Sequence, residues 1–198
     1  MAIDLQFLAF FALLMTFVSL WIHKSPWLWL SFLVIAYILA LQSGVAKPFS
    51  LVPVGTLLLI HLMLRRNLPT SSKWILIISA ILISIALLFH WIPGFSNYWD
   101  ETGHFWINFD TPFIGLFILA LQLPLIRSTN EAFTLSFKVI PLTGLAIALL
   151  LFLGDYVGLI RWEFNWPPHL SLRLITTLFF IIIPQEAFFR GFIQKGII

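Results

Sequence analysis

The chain contains no cysteine. That excludes a disulfide framework, a cysteine-ligated zinc site and a thiol nucleophile, and it leaves the redox compartment unread. Charge is the next scarcity. Asp, Glu, Lys and Arg together make up 10% of the 198 residues, whereas soluble domains carry ~25%. The longest basic cluster is Arg65-Arg66, too little for the basic patch that nucleic acid binding requires. No lysine or arginine precedes Lys24, and Asp4 stands near the start. The basic leader of a cleavable signal peptide is therefore missing, and the first apolar run is expected to stay as a membrane span. Internal repeats and low-complexity tracts are also lacking.

What remains is apolar. Hydrophobic residues form 61% of the chain and the mean hydropathy is +1.02. A soluble fold of this length leaves too much surface exposed to hide that excess. A spanning helix needs about 20 mostly apolar residues. Seven segments qualify or come close: Leu5–Ile22, Trp27–Gln42, Leu51–Leu64, Trp74–Ile92, Pro112–Ile126, Val139–Leu153 and Leu172–Ile193. The expected fold class is all-α, a polytopic transmembrane helical bundle of about seven spans. It forms a single transmembrane domain over residues 1–198. N-terminal spans fill residues 1–92, an outer loop residues 93–111, and the remaining spans residues 112–198. Helices in lipid are apolar all round, so periodicity does not set the boundaries. Turn residues do: Lys24-Ser25-Pro26, Ala46-Lys47-Pro48, Asn67-Leu68-Pro69 and Trp166-Pro167-Pro168. Asp110-Thr111-Pro112 reads as a helix start. The short third segment ends at Arg65-Arg66, whose long side chains can reach the headgroups.

Loop charge suggests an orientation. Lys24, Arg65, Arg66, Lys73, Arg127 and Lys138 lie on one side, and only Lys47, Arg161 and Arg173 on the other. The richer side is expected to be cytoplasmic, which puts the N-terminus outside and the C-terminus in the cytoplasm. The loop 93–111 carries Asp100, Glu101, His104 and Asp110 among aromatic residues. It can be read as a metal or substrate lid. The simpler reading is an aromatic loop resting on headgroups, because no repeated ligand spacing accompanies the acids.

The most informative stretch lies in the last span. Glu186 and Arg190 are four residues apart, one turn apart on one helix face and within pairing reach. Charged groups in a membrane helix are expensive and call for a reason. Gln185 lies about 100° round the helix from Glu186 and can offer an amide toward the same cavity. Pro184 removes a backbone donor and is expected to bend the helix just before these residues. An intramembrane ion pair that pins the last helix is the plain alternative to a functional site.

Gln185-Glu186-Ala187-Phe188-Phe189-Arg190-Gly191 resembles the first motif of the CPBP family, the CAAX-prenyl-protease-like or Abi intramembrane proteases. That motif reads Glu-Glu-x-x-x-Arg, often followed by Gly and an apolar residue, here Gly191-Phe192. The Pro93-Gly94-Phe95 loop and Asn108-Phe109-Asp110 before an apolar span add to the resemblance, which covers the second half of the chain. It implies an eight-helix-like fold with a site sunk in the membrane and open to the cytosol. It also implies a hydrolase that cuts peptides near a membrane, prenylated proteins among the substrates, and bacterial inner-membrane members tied to bacteriocin immunity. The motif's first Glu would activate water together with a later histidine, with a divalent metal such as zinc in one account and no metal in another.

Two departures bear on activity. Gln185 stands where the motif has its first Glu, and an amide is no base at neutral pH. The later motifs, Phe-x-x-x-His and His-x-x-x-Asn/Asp, would follow this helix, yet no histidine follows Arg190. The chain therefore reads as truncated after the first motif, half of an active site. Of the earlier histidines, His61 and His90 lie in or at the end of predicted spans, and His23, His104 and His169 read as loop or interfacial residues. The expectation is a CPBP-like intramembrane peptidase homologue, weak or inactive, with Glu186, Arg190 and Gln185 as the site. The alternative is a non-catalytic immunity, assembly or transport-associated membrane protein. The lipid bilayer is the expected partner, with a membrane-associated peptide or prenylated protein as substrate and no nucleic acid. A transporter usually shows matching broken helices, and a single proline-interrupted span disfavours it.

Overall fold

The computed structural model describes residues 4–22, 25–96, 98–99, 106–123, 129–159 and 170–194. His23, Lys24, Asp100, Glu101, His104, Arg127, Arg161 and His169 lie outside the described residues. The chain falls into two compact units, residues 1–125 with 171–198, and residues 126–170.

Helices stand where the apolar segments were expected. They are α1 (Leu5–Ile22), α2 (Pro26–Gln42), α3 (Leu51–Leu64), α4 (Thr70–Leu88), α5 (Thr111–Leu121), α6 (Thr129–Tyr156) and α7 (Leu170–Ile193). A 3₁₀ turn, Pro48–Ser50, leads into α3. Two residue pairs, β1 (Tyr98–Trp99) and β2 (Trp106–Ile107), form a small antiparallel ladder with Tyr98 opposite Ile107. Among the described residues four stretches are long and apolar enough to cross a membrane: Leu5–Ile22, Thr70–Leu88, Val139–Tyr156 and Leu170–Ile193. The other apolar helices are shorter. α5, with 11 residues, rises only about 17 Å against a hydrocarbon thickness of about 30 Å.

Some boundaries differ from the sequence expectation for physical reasons. The fourth segment was expected to run to Ile92, but α4 ends at Leu88. The amide of His90 bonds to the Leu87 carbonyl and that of Trp91 to the Ala86 carbonyl. This paired closure requires one residue in the left-handed region, usually glycine. Gly158 fills that place after α6, with φ +75°, but after α4 it is filled by His90, with φ +55°. The fifth segment was expected to reach Ile126, but α5 ends at Leu121. α6 begins ten residues earlier than its predicted span and encloses Pro141, so the last span is not alone in carrying an internal proline.

In the larger unit α1 and α2 form an antiparallel hairpin, and α3 and α4 form another. α5 runs between α3, α4 and α7, and every residue from Thr111 to Ile118 is buried. Its aromatic neighbours make the core. Phe109 meets Phe10 edge-on at 5.5 Å and Phe113 at 5.5 Å, and Phe10 also meets Phe180 of α7. Edge-to-face packing of this kind adds about 0.5–1.5 kcal/mol per pair beyond burial. Two buried hydroxyls of α1 are satisfied within the helix, as apolar surroundings favour: Thr16 donates to the Ala12 carbonyl and Ser19 to that of Thr16, whereas Ser84 Oγ of α4 is buried without a partner.

Helix direction alternates, so the unit has two ends. At one end the loop after α2 pairs with the loop after α4: the Lys47 amide donates to the Gly94 carbonyl and the Ser96 amide to that of Val45. The Phe49 ring lies over Gly94, whose φ is +109°, so closely that a Cβ there would come within 2.6 Å of the ring. At the other end Gln122, after α5, donates through Nε2 to the His61 carbonyl of α3 at 2.9 Å.

Candidate functional site

Pro184 governs the local shape of α7. Having no N–H, it cannot donate back along the helix, and its ring would strike the carbonyl four residues earlier. The helix widens instead. Leu178–Ile182 is π-wound, and the Ile183 amide bonds five residues back to the Leu178 carbonyl. A second widened stretch covers Ala187–Ile193. Such π segments are commonest at functional sites. α5 and α7 approach most closely at Gly115, where a Cβ would lie 2.3 Å from Pro184 Cα. Only glycine permits that backbone approach, the small-residue packing that joins helices in membranes. The same two helices meet again where Gly191 faces Leu123, so they run parallel.

On this helix Glu186 and Arg190 pair as the spacing predicts, Arg190 Nε donating to Glu186 Oε2 at 2.8 Å. The pair does not point into the bundle. The Arg190 side chain is 77% exposed and that of Glu186 51%, while Gln185 is half-buried. Pro184, Ala187, Phe188 and Phe192 occupy the inward face. The shared inward cavity expected for Gln185 and Glu186 is therefore replaced by an outward ion pair.

His61 lies against the inward side of the same segment. It is fully buried, edge-on to Phe192 with ring centroids 5.1 Å apart. Neither ring nitrogen has a hydrogen-bond partner. Of the two described histidines, His61 is the one whose ring touches the motif helix, but it meets Phe192 and the charged pair faces elsewhere.

A second cluster sits at the opposite end of the unit. His90 Nδ1 meets Asp110 Oδ2 at 2.6 Å, and His90 Nε2 meets Asn108 Nδ2 at 2.6 Å. With the amide as donor, Nε2 accepts and Nδ1 donates to Asp110. Asp110 is the N-cap of α5, its Oδ1 accepting from the Thr111 amide at 2.8 Å. The carboxylate is 1% exposed and the imidazole 38%. The helix N-terminus and the imidazole N–H together compensate this buried charge. Asn108 Oδ1 is buried without a partner. Asp110 at a helix start, with Asn108 two residues before it, is legible in the sequence, whereas their meeting with His90 comes from the fold. The available signal was a histidine following an apolar run just where a helix must close.

Zinc fits neither place. No group of three or more His, Cys, Asp or Glu side chains converges among the described residues. Glu186 is committed to a guanidinium, and Asp110 and Asn108 hold opposite nitrogens of one ring. No step through a metal follows from these side chains.

No family model, curated protein or solved structure matches the chain.

Proposed function

We propose that this protein is a CPBP-like intramembrane peptidase homologue with weak or no peptidase activity. One observation carries the reading: the only carboxylate of the motif, Glu186, is closed onto Arg190, beside an amide at position 185. Peptide hydrolysis needs a base within hydrogen-bond reach of a water and free to take its proton. A carboxylate held by a guanidinium is already engaged, and Gln185 cannot substitute. On this reading the protein lies in a bacterial inner membrane, N-terminus outside and C-terminus in the cytoplasm, and meets a membrane-associated peptide or prenylated protein. Seven spans belong to the same proposal, with the short helices α2, α3 and α5 held across the bilayer by their neighbours.

The test uses purified protein in lipid vesicles with a membrane-tethered reporter peptide. The wild type is expected to leave the peptide uncut, and Gln185→Glu to raise cleavage above background. Cleavage by the wild type that disappears in Glu186→Ala would overturn the proposal.

A second reading, a non-catalytic immunity or assembly factor, is favoured by the direction of the charged pair. Glu186 and Arg190 face away from the core of their unit, where a polar group on a partner helix can reach them. Co-purification of a membrane protein that is lost on Glu186→Ala supports this reading.

A further inference from the structure

We propose that the corner between α3 and α4 binds an anionic phospholipid, with the phosphate on Arg65 and Arg66 and an acyl chain along Leu59, Leu62 and Met63. These five residues line a groove of about 420 Å³ on the outside of the unit. Leu59, Leu62 and Met63 are spaced by three and four residues, so they form one continuous helix face. All three are exposed, and the two arginines stand directly beyond them at the helix end.

No carboxylate pairs with the charge at this corner among the described residues. No aspartate or glutamate occurs between Asp4 and Asp100. Among the described residues the ion pairs are His90–Asp110 and Glu186–Arg190, and neither involves Arg65 or Arg66. Lys73, in the first turn of α4, adds a third positive charge to the same helical hairpin. Beside it Trp74 is exposed, and tryptophan favours the headgroup depth of a bilayer. With α3 held across the bilayer, as proposed above, the groove places an apolar wall at acyl depth and a cationic rim at headgroup depth.

The occupant must match both halves. Guanidinium forks bind phosphate oxygens with two parallel hydrogen bonds, and arginine is the preferred residue for that geometry. A free phosphate would use the rim and leave the wall bare. A neutral apolar molecule would use the wall and leave the rim without a counter-charge. An anionic phospholipid satisfies both, and it is already concentrated where such a corner lies. Each basic residue near an anionic leaflet contributes on its own, and a fitted wall adds a dependence on shape that diffuse attraction lacks.

The experiment uses the full chain in detergent micelles, with spin-labelled or mass-resolved phosphatidylglycerol as the probe and phosphatidylcholine as the zwitterionic control. Phosphatidylglycerol is expected to remain bound in preference to phosphatidylcholine. The double change Arg65→Gln/Arg66→Gln should weaken its binding about tenfold or more, and Arg65→Lys/Arg66→Lys should fall between. Leu62→Trp, which fills the groove and keeps every charge, should weaken it as well. Equal binding of phosphatidylcholine, wild-type binding by Leu62→Trp, or displacement by glycerol phosphate at the same concentration would each overturn the proposal. Melting temperatures report folding. Should the arginine variants fail to fold, the headgroup comparison and Leu62→Trp decide the matter.

Discussion

Among the described residues the larger unit carries two carboxylates paired with nitrogen side chains, and they differ in almost every physical respect. Glu186 and Arg190 belong to one helix, four residues apart, and both face outward. Asp110 and His90 flank the ends of separate helices, twenty residues apart, and the carboxylate is all but sealed from the surface. The first pair is made by helix geometry alone and can form or break without moving anything else. The second joins the closing turn of α4 to the first turn of α5, fixes the ring between Asp110 and Asn108, and caps a helix buried from Thr111 to Ile118. One pair reports on the residues that flank it, and the other on how helices are assembled.

That contrast yields three measurable consequences for stability in detergent. The largest belongs to Asp110. Asp110→Ala removes the cap of α5, which costs about 0.5–2 kcal/mol, together with the imidazole's charged hydrogen-bond partner, which costs about 1.5–3 kcal/mol. Thermal unfolding should show it plainly. A loss below about 1 kcal/mol would put Asp110 in the same class as Glu186 and erase the distinction.

The second concerns the left-handed turn at residue 90. His90→Ala and His90→Gly both delete the imidazole, but only glycine enters φ +55° without strain. The glycine variant should be the more stable by about 1 kcal/mol. Equal stability, measured by urea or heat, would show that the turn is not strained. His90→Asn sharpens the comparison, because asparagine tolerates this region and keeps a polar tip.

The smallest effect is expected at Glu186 and Arg190. Either alanine substitution should change stability by less than about 1 kcal/mol, the range of exposed i,i+4 pairs. A double-mutant cycle should return a coupling of a few tenths of a kcal/mol. Coupling of several kcal/mol would mean that the pair is desolvated in the membrane by something packed against it, and would favour the partner-binding reading.

Legibility in the sequence follows the same divide. Helices α1 and α3 have the predicted ends, because runs such as Leu5–Ile22 are bounded by polar or turn residues. The Glu186–Arg190 contact was legible because helical spacing fixes it. Asp110 at a helix start was legible because Asp-Thr-Pro is a local signal. The His90 closure was hidden, since glycine normally marks such a turn and a histidine gives no such mark. The direction of the Glu186 face was hidden too. It depends on the widened winding before Pro184 and on the approach of Gly115 to Pro184, which joins residues far apart in the chain.

The sequence by itself determined that this is a chain of apolar helices, where most of them lie, and which carboxylate and guanidinium share a turn. Those properties arise from composition, breakers and the 3.6-residue period, all local quantities. Tertiary packing made α5 the buried centre and brought His90, in the turn after α4, onto its capping Asp110. It also decided that the motif's charges turn outward while His61 turns in. Those outcomes depend on which helices touch and at which residues. Long-range packing sets both, and no stretch of chain encodes them alone.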